Sequence, residues 1–531
     1  MARILTGNFP ARCGADPLGT ILAGRVLASG TQVTKASPTP VPPFATRRQG
    51  VTIAFPSTSL QSQATLPSGA PRPRLTFIGT GYLGSTYAIC FAELGYEVLG
   101  VDVDVDKIAS LNAGEVPIHE PGLDDLLRKN IAAGRLRFTT DYREAAEFGD
   151  VHFICVGTPQ RADGMAADLR YVEEAVVGIA SKLNRKALIV GKSTVPVGTA
   201  EWVEQLVAKH ADPNLGVEVA WSPEFLREGY AVEDVIRPDR VVFGVKSDWA
   251  RDLLYASHKG SFDLATTEDR EVPVVITDFA TAELVKVAAN AFLATKISFI
   301  NAMAEVCDAA GADVTQLARA IGYDDRIGKK YLRAGVGFGG GCLPKDIRAF
   351  QARAQELGVG EALRFLHEVD LINQRRRQKV VELAAELLAR PYGPAGPDLA
   401  GLRIAVFGAS FKPNSDDVRD SPALSVVRRL VRTGADVIVY DPAGMANAKR
   451  ELPDVRFADS MTAAAEGAHL LCVLTEWEEF RNADPVALAA TVSTAKVIDG
   501  RNCLDSSVWA RAGWEYRGMG RASSEKPATA E

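Results

Sequence analysis

The chain has 531 residues, 24% of them charged and 47% hydrophobic, with a formal net charge of −6. That length calls for two or three domains, and that composition for globular cores. The mildly acidic balance gives no general attraction to nucleic acid or to an anionic membrane.

In chain order, residues 1–73 hold seven basic residues and one acidic residue among many Pro, Ser and Thr. They are expected to form a disordered leader, with the Arg-rich, acid-poor composition that a transit peptide also shows. At Leu75 an apolar run meets the turn Gly79-Thr80-Gly81-Tyr82-Leu83-Gly84 and then an amphipathic helix. In such a turn the first glycine permits the bend, the second lets backbone approach a pyrophosphate, and the third lets helix and strand pack closely. The helix N-terminus that follows favours anions. A second strand, residues 97–101, ends in Asp102, 18 residues past Gly84, where a carboxylate can hold a ribose and repel a 2′-phosphate. NAD is therefore expected in preference to NADP, with Lys107 nearby. Further strands are read at 151–156, 187–190 and 217–221, so residues 74–277 form a parallel, dinucleotide-binding α/β domain.

Residues 278–390 read as a central helical domain. The apolar stretch 284–306 is broken by Lys286, Asn290, Lys296, Asn301 and Glu305, as befits a helix inside a protein and not a membrane span. Residues 390–397, rich in Pro and Gly, are a linker. A second alternating block occupies 398–517, with strands at 402–407, 436–440, 469–474 and 496–498. Its Gly408-Ala409-Ser410-Phe411 turn has one glycine where the fingerprint has three, so it is not expected to hold NAD in the usual way. Residues 518–531 read as a disordered tail. The fold class is thus α/β: two Rossmann-like doubly wound domains joined by a long central helix and a helical dimerisation region.

Seven scattered cysteines, odd in number and without a Cys-x-x-Cys pair, argue against a disulfide framework or a metal site. They suit a reducing, cytoplasmic setting. Cys342 stands apart in Phe338-Gly339-Gly340-Gly341-Cys342-Leu343-Pro344-Lys345-Asp346. Three glycines let this backbone approach a ligand, and a cation beside the thiol would favour the thiolate; a glycine-rich surface loop with an incidental cysteine fits the same residues. Lys286 and Asn290, four apart on an apolar helix, share one face, as a polar site or as a partly exposed edge. The segment 192–199 would place hydroxyls, Thr194 among them, at the sheet's C-terminal edge. In 222–228, Glu224 and Glu228 serve proton transfer or cap a helix start.

Together the motifs GTGYLG, KSTVPVGT, SPEFLREG, ELVKVAANAF, DDRIG, FGGGCLPKD and FKPNSDDVRDSPA, in that order over residues 74–517, closely resemble the UDP-glucose 6-dehydrogenase family of nucleotide-sugar dehydrogenases. The resemblance implies an NAD-dependent, two-step, four-electron oxidation of the C6 alcohol of UDP-glucose to UDP-glucuronate, through a thiohemiacetal and a thioester on Cys342. It implies that Lys286 and Asn290 stabilise the C6 oxyanion, that Asp346 and Thr194 relay protons or orient water, and that Glu224 is the base for hydrolysis. NAD contacts would come from Gly79, Gly81, Tyr82, Leu83, Gly84, Asp102, Lys107, Thr158, Thr194, Glu228, Lys345 and Arg419. Substrate contacts would come from Glu224, Phe225, Leu226, Arg227, Lys286, Asn290, Tyr331, Leu332, Arg333, Ala334, Gly335, Phe338, Gly339 and Lys412. Arg326 matches an arginine that reaches the substrate diphosphate from a neighbouring subunit, which implies a homodimer or larger assembly. Gly341 departs from the serine or other small residue that relatives often carry.

GDP-mannose 6-dehydrogenation shares this chemistry and is the nearest alternative; the FKPNSDD run favours the UDP-glucose branch. Dehydrogenases of N-acetylated UDP-sugars usually show a different cysteine loop. A non-catalytic binder of NAD or nucleotide sugars has no need of Cys342, and a two-electron hydroxyacid dehydrogenase has no use for a thiol.

Overall fold

The computed structural model describes residues 72–393 and 396–521. The expected leader, apart from its last two residues, and all of the expected tail after Arg521 lie outside the described residues.

The first strand, Leu75–Ile78 (β1), is buried at every position. A strand covered on both faces must be apolar throughout and not only at alternate residues. Its one hydroxyl, on Thr76, is satisfied by His152 Nδ1 at 2.7 Å. Around it lie Val98–Val101 (β2), Leu136–Thr139 (β3), Val151–Ile154 (β4), Leu188–Gly191 (β5), Glu218–Trp221 (β6), Val241–Gly244 (β7) and Val274–Thr277 (β8). The sheet order is β3-β2-β1-β4-β5-β6-β7-β8, parallel except where β7 meets β6. Two apolar clusters, one on each face, are built around Phe77, Phe91 and Phe153 and around Ile78, Ile154 and Ile189. Because the chain leaves β1 toward β2 and later returns to its other side at β4, the C-terminal ends of β1 and β4 part to form a crevice.

The central helix, Phe279–Ala310, has 32 residues and so spans about 48 Å. Asp278 caps its start by accepting from Thr281 N at 2.8 Å, and Gly311 ends it at φ +69°. By length and composition this helix could cross a membrane. Its buried polar residues are engaged with protein, however. Glu283 accepts from Gly198 N and Ala200 N at 2.7 and 2.6 Å, and Asn301 accepts from Gly335 N at 2.9 Å. Helices Leu343–Glu356 and Phe365–Leu387 pack against it.

A short antiparallel pair, Tyr392–Gly393 (β9) and Gly396–Pro397 (β10), stands where a linker was read. The second sheet holds Arg403–Phe407 (β11), Asp436–Tyr440 (β12), Arg456–Phe457 (β13), Leu470–Val473 (β14), Lys496–Asp499 (β15) and Glu515–Gly518 (β16). Its order is β13-β12-β11-β14-β15-β16, all parallel. Placed chain continues past residue 517 to Arg521, because Gly520 O accepts from Val314 N at 2.9 Å and Arg521 pairs with Asp313 at 3.4 Å.

Candidate active site

The glycine turn sits at the mouth of the crevice, and its three glycines do different work. Gly79 lies at φ +91°, where a Cβ would press into Val156 at 2.8 Å. A Cβ on Gly84 would strike the carbonyl of Gly79, so this position needs glycine for helix and strand to meet. A Cβ on Gly81 would meet nothing within 4 Å. The empty space there faces the N-terminus of helix Tyr82–Glu93, as a pyrophosphate requires. At the end of β2, Asp102 accepts from Thr80 N at 2.7 Å, from Asp104 N at 3.1 Å and from Lys107 Nζ at 3.0 Å. These contacts hold its carboxyl below the ordinary carboxylate range despite burial. A fixed anion beside the turn fits a ribose diol and disfavours a second phosphate.

A cavity of about 870 Å³ opens where the first domain, the central helix and the second domain meet. Its walls include Leu226, Arg227 and Glu228, the central-helix residues Lys286 and Asn290, the segment Tyr331, Leu332, Arg333, Ala334 and Gly335, and Phe338, Gly339, Cys342 and Lys412. Two expected substrate contacts lie behind this surface. Glu224 is buried and splits its oxygens between Lys286 Nζ (2.8 Å) and Leu226 N (2.8 Å). The Phe225 ring lies 3.7 Å from the Arg240 guanidinium. Arg326 is outside the cavity altogether, 90% exposed and paired with Asp324 at 2.7 Å. Tyr331 stands at φ +64°, a region that costs a bulky side chain energy.

Cys342 caps the N-terminus of helix Leu343–Glu356 and opens into the cavity, with protein crowded against its other sides. Burial pushes its thiol up to about 12; Asp346 adds to the rise and Lys286 opposes it. The resting group is therefore a thiol. The cation expected to lower it, Lys345, is instead 2.7 Å from Asp346 Oδ1. Asp346 also accepts from Asn290 Nδ2 at 2.6 Å. Burial works against the Lys286 ammonium, but Glu224 and the groups around Cys342 outweigh it and raise its pKa. Thr158 Oγ1 donates to Thr194 O at 2.7 Å and lies 3.4 Å from Lys345 Nζ, which links these expected cofactor residues to the thiol's helix. Glu228 pairs with Arg419 at 3.2 Å, and burial together with Asp417 raises its carboxyl to about 7.

The three glycines before Cys342 clear room for protein at least as much as for ligand. A Cβ on Gly339 would meet Asp420 O, one on Gly340 the Phe411 ring, and one on Gly341 the Arg419 guanidinium. In the 192–199 segment, Ser193 donates inward to Val156 O at 2.6 Å. Lys192 is buried over the Tyr87 ring and donates to Ser222 O at 3.1 Å; burial lowers its ammonium to about 8. Sequence reasoning missed Arg501, which lines the cavity and donates to Leu474 O, Gly337 O and Phe411 O at 2.8, 2.8 and 3.0 Å. It follows β15, and the rule that ligands bind beyond the carboxyl ends of parallel strands was the signal available.

Sequence signatures of one family cover most of the described chain: the UDP-glucose/GDP-mannose dehydrogenase family, its NAD binding domain at 73–259, central domain at 280–375 and UDP binding domain at 405–506. The chain is 43% identical over 450 residues to the UDP-glucose 6-dehydrogenase of Rhizobium meliloti, covering 84% of this chain and 99% of that one. It is 38% identical over 449 residues to the UDP-glucose 6-dehydrogenase TuaD of Bacillus subtilis, covering 84% and 93%. Among solved structures, a UDP-glucose dehydrogenase from Pyrobaculum islandicum superposes with a TM-score of 0.76 at 36% identity, covering 86% of this chain and all of that one.

Proposed function

The chain belongs to the UDP-glucose/GDP-mannose dehydrogenase family and is an NAD-dependent oxidoreductase, and from that premise we propose that it oxidises the C6 alcohol of UDP-glucose to a carboxylate through Cys342. The observation that carries this reading is the convergence of an accessible thiol, a buried ammonium and Asn290 on one wall of the cavity, with buried Asp346 hydrogen-bonded behind Asn290. Cationic Arg227, Lys412 and Arg501 on the same cavity suit a diphosphate.

The glycine turn and Asp102 would hold NAD, which when bound would supply the hydride acceptor, one NAD for each of the two oxidations, with NADH exchanged for a second NAD between them. In the first, the C6 hydroxyl loses its proton toward Asp346 and C6 loses a hydride, which leaves an aldehyde. The thiol of Cys342 then adds to C6: the S–C bond forms, the thiol proton leaves, and the carbonyl oxygen gains a proton. Lys286 and Asn290 donate to that oxygen while it carries charge. Addition is needed because an aldehyde has no C6 hydroxyl to drive a second hydride departure. The thioester left by that departure takes up water, the C–S bond breaks, and sulfur regains its proton as the carboxylate forms. Glu224, held between Lys286 and Leu226 N, is our candidate for directing that water. Thr194 belongs to the same proton path, and Asp102, Lys107, Thr158, Glu228, Lys345 and Arg419 to the cofactor.

We place this reaction in the cytoplasm, since the six described cysteines are all free. We further assign the working form to a homodimer that shares the central helix. The exposed Phe292, Phe299 and Val306 recur every seventh residue on it, and the exposed Arg326 does not line its own cavity.

The test is stoichiometric. Purified protein with NAD and UDP-glucose is expected to form two NADH per sugar, and Cys342→Ala to stall without releasing uronate. One NADH per sugar, full activity in the alanine variant, or turnover of GDP-mannose alone would each overturn the assignment.

A further inference from the structure

Glu120 lies in the loop between helices Val105–Asn112 and Leu123–Ala132 and is 4% exposed. Its Oε1 accepts from Ala231 N at 2.7 Å. Its Oε2 accepts from Gly229 N at 2.6 Å and from the Tyr82 hydroxyl. Burial and this carboxylate push the Tyr82 phenol well up, so it remains a donor. Tyr82 opens the helix that follows the glycine turn. Gly229 and Ala231 continue directly from Glu224–Glu228. On its other side Gly229, at φ +75°, is closed in by the second domain, where a Cβ would meet Asn414 O at 2.7 Å. One buried carboxylate thus ties the first residue of the cofactor helix to the chain bearing the residues assigned to the sugar nucleotide.

We propose that Glu120 is a positioning residue that couples the two ligand subsites, so that a dinucleotide on the glycine turn tightens binding of the nucleotide sugar, and the reverse. The proposal rests on the site assignments under Proposed function. A ligand at the turn fixes Tyr82, Tyr82 fixes Glu120, and Glu120 fixes the backbone at Gly229 and Ala231. The first ligand then bears the ordering cost of segment 224–231, and the second binds to a segment already ordered. Linkage requires the same factor in both directions.

NADH and UDP-glucose form a pair that cannot react, so the coupling can be read at equilibrium. NADH affinity would be titrated by fluorescence with and without saturating UDP-glucose, and UDP-glucose affinity by calorimetry with and without NADH. Wild type is expected to show a gain of about fivefold or more in both titrations. In Tyr82→Phe and Glu120→Gln that factor is expected to fall toward one, whatever Tyr82→Phe does to NADH affinity by itself, while UDP-glucose alone still binds both variants. Tyr82→Phe removes a single hydroxyl and decides the question if Glu120→Gln fails to fold. A factor of one in wild type, or an unchanged factor in Tyr82→Phe, overturns the coupling role and leaves the substrate assignment standing. A wild type that binds NADH but no UDP-glucose overturns the substrate assignment, and this proposal with it.

Discussion

The protein packed around the Cys342 thiol and the neighbouring Asp346 raise its pKa well above the ordinary thiol value, so little of it is ionised at neutral pH. Burial and Asp346 keep Cys342 protonated, while Lys286 and the helix N-terminus behind it favour the thiolate once charge develops. On the proposed mechanism Cys342 is a nucleophile that is quiet in the free enzyme and is activated when an aldehyde arrives to take its electrons. Because the thiolate is the reactive form, raising pH must raise reactivity, and it must keep doing so until the pKa is approached. Among the described cysteines Cys342 alone is exposed, and Cys90, Cys155, Cys307 and Cys472 are buried. Inactivation by iodoacetamide in the absence of ligands should therefore accelerate about tenfold per pH unit from pH 7 to 9.5. Cys342→Ala should lose that alkylation. A plateau near pH 8 to 9 would show an ordinary thiol and contradict the role assigned to burial.

Secondary-structure elements bring these groups together, and the glycine fingerprint shows how unlike its three glycines are. Gly84 is glycine because helix and strand touch there; Gly81 is glycine although no protein atom is near. Gly81→Ala, at φ −70°, should fold normally, with a melting temperature within about 1 °C of wild type, and should weaken NADH binding by about tenfold or more. Gly84→Ala should instead lower the melting temperature by roughly 5 to 10 °C, through overpacking against backbone. Equal melting temperatures for the two variants would refute this division. The same contrast explains what was legible in the sequence. The fingerprint, β1, Asp102 and the central helix carry strong local patterns, and the expected α/β architecture stands. Strands β3, β7, β8, β13 and β16 are not among those expected from the sequence; β3, Leu-Arg-Phe-Thr at the sheet edge, carries no continuous apolar run, whereas Val-Val-Phe in β7 and Val-Val-Ile in β8 are short apolar runs that did offer a signal. Glu120 and Arg501 were invisible for another reason. Their side-chain hydrogen-bond partners lie 27 to 164 residues away, and no spacing rule reaches that far.

At the scale of the whole molecule, two otherwise unexplained features support the proposed dimer. Phe292, Phe299 and Val306 are 66%, 49% and 56% exposed on a helix whose other side forms the cavity wall, a placement that water disfavours. Arg326, at 90% exposure, contributes nothing to its own protomer's cavity. A two-fold pairing along the central helix would cover the apolar stripe and carry each Arg326 toward the partner's site. Phe299→Asp, a charge placed in the middle of that stripe, should convert a dimer into monomers on size-exclusion chromatography with light scattering. The stronger test is complementation in trans. Cys342→Ala protomers keep the arginine and lack the thiol, and Arg326→Ala protomers keep the thiol and lack the arginine. If the arginine acts across the interface, subunit exchange in an equal mixture rebuilds one complete site in each mixed dimer. Random mixing makes about half of the dimers mixed, so activity should recover to about a quarter of wild type from two nearly inactive parents. If Arg326 served its own protomer, every site would lack one group or the other and mixing would restore nothing.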